Sequence, residues 1–406
     1  MTLSRRITTF LGLRRSVAAM LTMMILVGMG EKLGERFLPI YILALGGGAY
    51  VIGLLNGLDN LLSALYSYPG GYLSDRLGYK RALAVFNLVS MAGYAIVILI
   101  PSWQAVIVGA LFFISWDALS LPATMSLVSN VLPKDKRTMG VSMHSFIRRI
   151  PMALGPMIGG LLIARFGEQD GVRLAFVLAL VLALVALILQ QLFIEDRGKK
   201  SAAEGNPLQL AKFMTPDLRN LLVSDILVRF CEQIPYAFAV VYCMKIVGIS
   251  AVQFGILTTV EMVTAMLIYI PVAYLADRGG KKPFVAITFL NFTLFPIFLL
   301  ISHSFWMLVI AFIVRGLKEF GEPTRKALIM DLAPEDKKAA MFGLYYLIRD
   351  VIVSLAAFGG AWLWTISPQT NFLVAAAFGA AGTLYFILFG RDLPKLAADR
   401  PAGPRG

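Results

Sequence analysis

The chain is a succession of apolar runs, each roughly twenty residues or longer, which is the length a helix needs to cross the hydrocarbon of a bilayer. Twelve can be marked off, at about 17–46, 49–76, 80–101, 104–131, 137–166, 171–194, 217–247, 251–277, 282–302, 305–332, 338–366 and 370–391. Lipid offers no hydrogen bonds, so a backbone inside it must satisfy its own, and helices do this within a single segment. Of 406 residues, 58% are apolar and only 15% charged, too greasy a balance for a soluble protein of ordinary composition. The expectation is an all-α membrane protein with twelve transmembrane helices. The first run follows the basic residues Arg5, Arg6, Arg14 and Arg15. It is too long for a leader peptide and lacks an obvious cleavage site, so it reads as the first span.

A second constraint is internal. The turn after the second run, Gly71-Tyr72-Leu73-Ser74-Asp75-Arg76-Leu77-Gly78-Tyr79-Lys80-Arg81, returns as Ala273-Tyr274-Leu275-Ala276-Asp277-Arg278-Gly279-Gly280-Lys281-Lys282, at an offset of 202. Gly53 and Gly255, Asp59 and Glu261, and Pro69 and Pro271 correspond at the same offset. Pro122 matches Pro323, and Ile147-Arg148 matches Ile348-Arg349, at an offset of 201. Such parallel repeats, with a site at the bilayer midplane between them, are how many secondary transporters are built. The expected domains are an N-terminal six-helix bundle over 1–194 and a polar cytoplasmic linker over 195–216. A pseudo-symmetric C-terminal six-helix bundle over 217–406 completes the chain.

The net charge of +13 invites a nucleic-acid reading, but its placement excludes one. Arg76, Lys80, Arg81, Lys134, Lys136, Arg197, Lys199, Lys281, Lys282 and Lys337 fall in alternate connections, whereas the opposite connections hold little beyond Arg165, Arg173 and Lys245. That bias is the positive-inside signature and places both termini in the cytoplasm. Cys231 and Cys243 are too far apart along one helix to bridge. His144 and His303 are too few and too separated for a metal site. There is no phosphate-cradling glycine loop with its lysine, no plausible nucleophile–base pair and no soluble catalytic domain. Neither an enzyme nor a cofactor or metal is expected.

With twelve spans, a central loop and the Gly-x-Leu-x-Asp-Arg-x-Gly-x-Lys-Arg turn, the chain resembles the major facilitator superfamily over essentially its whole length. A further segment in the fifth span, Gly155-Pro156-Met157-Ile158-Gly159-Gly160, resembles one associated with that family's antiporters, with Pro151 where an earlier glycine is usual. The resemblance implies that Gly71, Asp75, Arg76, Gly78, Asp277 and Arg278 form a lock between the halves when the outer side is open. Asp331, at the cytoplasmic end of the tenth span, is the expected partner of Arg278. The alternative is that these bases only set topology. The resemblance also implies that the first, fourth, seventh and tenth spans line the central cavity.

Much of the buried charge lies on those four spans. An ionisable side chain at membrane depth costs from ~2.5 kcal/mol upward unless paired or wet, so each is a functional candidate. The first span holds Glu31, Lys32, Glu35 and Arg36, with Lys32 and Glu35 at i, i+3. The seventh holds Asp225, Arg229 and Glu232 on one stripe, and the fourth holds Asp117. In the tenth, Arg315–Glu319, Lys318–Glu322 and Glu322–Lys326 are i, i+4 pairs. The fifth and eleventh add Arg149, Arg349 and Asp350, and the second and eighth add Asp59 and Glu261. Glu31, Glu35, Asp117 and Glu232 are the proton-coupling candidates, since burial disfavours a carboxylate's charged form. Arg36, Arg149, Arg229, Tyr236, Arg315, Lys318, Glu319, Glu322 and Tyr345 are the substrate-cavity candidates. Closed ion pairs are the competing reading for Arg315–Glu319 and Arg349–Asp350.

The expected function is secondary active transport of a small organic solute, coupled to protons and operating by alternating access. The glycine–proline segment favours antiport and hence efflux; the buried bases favour uptake of a polar or anionic solute. Lipid transport and a non-transporting sensor are weaker alternatives. The expected setting is a monomer in the bilayer of a bacterial inner membrane, with a small-molecule substrate and protons as partners.

Overall fold

A computed structural model describes residues 15–114, 116, 120, 137–194, 211–279, 281–334 and 338–391. Within them, the side chains at 15–18, 67–71, 74, 75, 79, 137–146, 269, 270, 272–279, 323 and 338–340 lie outside the description. The described elements are helical, and helix occurs in each of the twelve expected spans. Among the described residues, seven helices are long and apolar enough to cross a membrane, and a bent pair makes an eighth.

The remaining spans are broken, carry charge or are described only in part. The first is α1 (Arg15–Gly34), a 3₁₀ turn (Glu35–Phe37) and α2 (Leu38–Ala44). The second is α3 (Ala49–Leu77), the third α4 (Tyr79–Leu99), and the described part of the fourth is α5 (Trp103–Phe113). The fifth and sixth are α6 (Arg137–Phe166) and α7 (Glu168–Phe193). The seventh comprises α8 (Pro216–Tyr236) and α9 (Phe238–Val241), continuing to Ile246, with a 40° bend between them. The eighth and ninth are α10 (Ala251–Gly279) and α11 (Lys282–Leu300). The tenth is α12 (Phe305–Leu317) and α13 (Glu322–Leu332), separated by Lys318–Gly321. The last two are α14 (Lys338–Ile366) and α15 (Pro368–Phe389).

The duplication seen in the sequence recurs as matched local chemistry. Gly46 and Gly248 both have φ +81°, ending the first and seventh spans in a backbone conformation that side chains disfavour. Ser102 and Ser304 cap the fourth and tenth spans, accepting from the amides of Ala105 and Met307. Lys80 and Lys282 donate to the carbonyls of Gln191 and Ile387, near the ends of the sixth and twelfth spans. Gly78, expected to permit the reversal after the second span, does so at φ +82°.

The apolar core shows how the halves meet. At the end away from the basic loops, one cluster takes residues from both halves, including Phe37, Ile40, Tyr41, Phe238, Phe254 and Phe312. Toward the basic end, the described residues form separate clusters. One, around Met23, Phe86 and Trp116, belongs to the N-terminal half; the other, around Leu221, Phe289 and Leu344, belongs to the C-terminal half. Helices cross between halves at two matched places. A Cβ on Gly53 would strike Ala361, and one on Gly255 would lie 2.6 Å from the Met157 Cα and the Pro156 carbonyl oxygen. Exposed Leu99, Leu192, Leu267 and Trp306 leave an apolar outer belt that suits lipid.

Candidate functional site

The three charged spans that the structure describes in full are each interrupted at their charged residues. Glu35 and Arg36 form the 3₁₀ turn of the first, Tyr236 ends α8 at the bend of the seventh, and Lys318–Gly321 separate α12 from α13. Pro39 at the start of α2 and Pro235 at the end of α8 remove backbone donors near two of these breaks. Interrupted helices at midplane depth, tolerated where they line a cavity, are how transporters expose polar backbone and side chains to a solute.

A cavity lies there, between the halves. The N-terminal half contributes Glu35, Arg36, Leu38, Pro39, Leu55, Asn56, Asp59 and Ile114; the C-terminal half contributes Tyr236, Ala237, Ala239, Val240, Phe254 and Arg315. The guanidiniums of Arg36 and Arg315 lie 5.1 and 5.5 Å from the centre of the Tyr236 ring. Asn56 donates to the Gln233 carbonyl at 3.0 Å and Asn60 to the Gln233 side chain at 3.1 Å, tying the second span to the seventh.

From the cavity, ion pairs run into the C-terminal half. Arg315 meets Glu261 at 3.1 Å, and Lys318 stands 3.6 Å from the same Glu261 oxygen and 2.7 Å from Glu232. Arg229 holds the other Glu232 oxygen at 2.6 Å and reaches Glu322 at 3.4 Å. Glu322 pairs with Arg325 at 2.7 Å, and Arg325 contacts Asp225. Tyr345 donates to Asp225 at 3.0 Å, and Arg349 joins it at 3.5 Å. These groups share the expected interior rather than facing lipid.

Several local expectations are corrected. Arg315 does not pair with Glu319, nor Lys318 with Glu322, because the helix that would bring i and i+4 together stops at Leu317. Glu319 instead meets Arg149 of the other half at 3.0 Å. Glu322–Lys326, inside α13, forms at 3.5 Å, and Arg349–Asp350 at 2.7 Å. In the first span, Lys32 contacts both Glu35 and Glu31, the latter at 3.1 Å; Glu31 itself is buried and does not line the cavity. Asp117 lies outside the described residues, as do the side chains of Asp75, Asp277 and Arg278. Asp331 pairs with Lys281, and Arg76 donates to the Tyr72 hydroxyl. In the antiporter-like segment, Gly155 and Gly159 pack on the backbone of Lys32 and Leu33. Pro156 lies against Gly255, and Gly160 against Ala251, across the halves. Cys231 and Cys243 are free and buried.

Glu261 and Asp59 read from the sequence only as extra buried acids, yet one anchors the ion-pair chain and the other lines the cavity. Their signal was the repeat, which aligns them with each other. Asn56 and Gln233, neutral residues in apolar runs, carried no comparable signal.

Interrupted helices around a largely apolar cavity with charged groups at one end, between two duplicated helical halves, define a membrane carrier. The family model of the Major Facilitator Superfamily matches residues 15–231 and 221–405, and the chain belongs to that family. It is 23% identical over 359 residues to an uncharacterised MFS-type transporter of Methanocaldococcus jannaschii, covering 85% of this chain and 87% of that one. It is 26% identical over 349 residues to the multidrug resistance protein MdtG of Citrobacter koseri, covering 80% and 82%. The crystal structure of the nucleoside transporter NupG superposes with a TM-score of 0.80 at 12% identity, over 92% of this chain and all of that one. The chain is thus an integral membrane protein of a transporter family.

Proposed function

We propose that the protein is a proton-coupled antiporter that exports a small organic solute by alternating access. The observation that carries this is the cavity at the breaks of the first and seventh spans, walled by both halves and beside a chain of acids and bases. In this reading the halves, 1–194 and 217–406, rock about that cavity with 195–216 as the linker. The shared core at one end and divided cores at the other correspond to a carrier closed outward. The positive-inside bias puts the basic end and both termini in the cytoplasm, the chain acting as a monomer in a bacterial inner membrane. Export is favoured by the glycine–proline segment, which packs the outer closure, and by likeness to a multidrug resistance protein. Uptake is the second reading, favoured by Arg36 and Arg315 at the polar end of the cavity.

Glu35, which lines the cavity, and Asp117 are the leading proton carriers. Glu232 is a weaker one, since both its oxygens are held by Lys318 and Arg229. The test is purified protein in liposomes under an imposed pH gradient, screened against candidate solutes. Solute-dependent proton movement is expected, with its direction separating export from import. Replacing Glu35 by Gln, or Asp117 by Asn, is expected to abolish gradient-driven accumulation while sparing binding. Unchanged accumulation in both variants removes these acids as carriers, and the absence of any coupled flux removes the antiport reading.

A further inference from the structure

Within the proposed transport cavity, on whose reading this inference rests, one cation has no ion-pair partner among the described residues. Arg149, Arg229, Arg315, Lys318, Arg325 and Arg349 each have a carboxylate within 4 Å. Arg36 has none among the described residues; its contact is the face of the Tyr236 ring. It lies on the 3₁₀ turn, where the interrupted helix turns its side chain into the cavity. A cation–π contact orients a guanidinium plane but consumes none of its five N–H donors. Glu35 in the same cavity balances its charge at longer range, so what Arg36 leaves open is its hydrogen-bonding capacity.

We propose that Arg36 is the receptor for an anionic group on the solute, and that the transported class is small organic monoanions with an apolar body. A planar oxyanion matches the guanidinium fork with two parallel hydrogen bonds, which a lysine cannot reproduce. The Tyr236 hydroxyl, which has no hydrogen-bond partner among the described residues, supplies a further donor at the same end of the cavity. Arg315 adds positive potential from the opposite half but is already committed to Glu261. Leu38, Leu55, Ile114, Val240 and Phe254 make the rest of the wall apolar, suited to a hydrocarbon or aromatic body. Glu35 and Asp59 line the same cavity and disfavour a second negative charge, which excludes dianions. Because Arg36 belongs to one half and Tyr236 to the other, an anion held by both fills the gap between them.

The test is equilibrium binding to the full chain in nanodiscs. The probes are benzoate and octanoate, against benzamide, benzylamine and phenyl phosphate. Saturable binding of a carboxylate is expected, with benzamide, benzylamine and the dianion at least tenfold weaker. Octanoate alone binding would assign the site to membrane-derived fatty acids, benzoate alone to soluble acids; either supports the proposal. Arg36→Gln is expected to weaken carboxylate binding at least tenfold and Arg36→Lys to restore it only partly, with both variants folded by their melting profiles. Equal affinity for benzamide or benzylamine, or unchanged carboxylate affinity in Arg36→Gln, would overturn it. The proteoliposome assay separates the two levels. Neutral or cationic solutes moved with no dependence on Arg36 leave transport standing and remove this proposal. Carboxylates that bind through Arg36 without being moved remove the transport reading and leave the site.

Discussion

Arg315 is the most enclosed of the cavity cations, its side chain 4% exposed, with Glu261 at 3.1 Å and the ring of Phe295 at 4.8 Å. Truncating one member of a buried ion pair strands the other, at a cost of about 3–5 kcal/mol. Glu261→Gln is therefore expected to lose stability on that scale, read by denaturation in micelles, while Glu261→Gln with Arg315→Gln recovers part of it. An additive double variant would show that the two side chains do not act as a pair. At this scale the sequence was informative about which residues are ionisable and buried, and poor about who meets whom. Lys32 and Glu35 met as spacing required, because both lie within a turn of one another on a nearly continuous helix. Arg315 and Glu319 did not, because a break between them, invisible in residue spacing, turns their side chains in different directions.

At the scale of helices, the repeat pointed to Gly53 and Gly255 as equivalent positions without revealing what either one faces. Both prove to be places where one half's helix presses on the other's, α3 on α14 and α10 on α6. Adding side-chain volume to such a contact costs about 1–3 kcal/mol, and here only in the arrangement that makes the contact. Gly53→Val is thus expected to shift the population away from this closed arrangement by roughly 5–150-fold. The check is labelling of a cysteine placed at Ala237 by an impermeant thiol reagent added on the side away from the basic loops. Gly359→Val, where a Cβ has nothing within 4 Å, is the control and is expected to leave labelling unchanged. Equal labelling in the two variants would refute the role assigned to the contact. Likewise, Ser304→Ala is expected to cost about 1 kcal/mol by removing the cap of α12, measured as a lower melting temperature.

Over the whole molecule, the closure at the end away from the basic loops combines a packed core with an exposed ion pair between halves, Lys245–Glu168 at 2.6 Å. Exposed pairs contribute about 0–1 kcal/mol and weaken with salt. Lys245→Glu is expected to change transport by less than about fivefold, with the charge-swapped double variant Lys245→Glu, Glu168→Lys returning toward the original rate. A much larger loss would mean that electrostatics rather than packing holds this face together. The family and the membrane character were legible from the apolar runs and the duplicated turn, since both follow from local composition. The level at which the halves part was not, because it depends on three-dimensional packing among residues far apart in sequence.

The matched turns at Gly46 and Gly248, the serines at 102 and 304 and the lysines at 80 and 282 are common to both copies, whereas Arg36 faces Phe238 in the alignment and Asp117 faces Lys318. The ancestral scaffold has kept its joints and let its lining drift. Anyone retargeting this carrier to another cargo has a division of labour to follow: rewrite the lining and leave the joints alone.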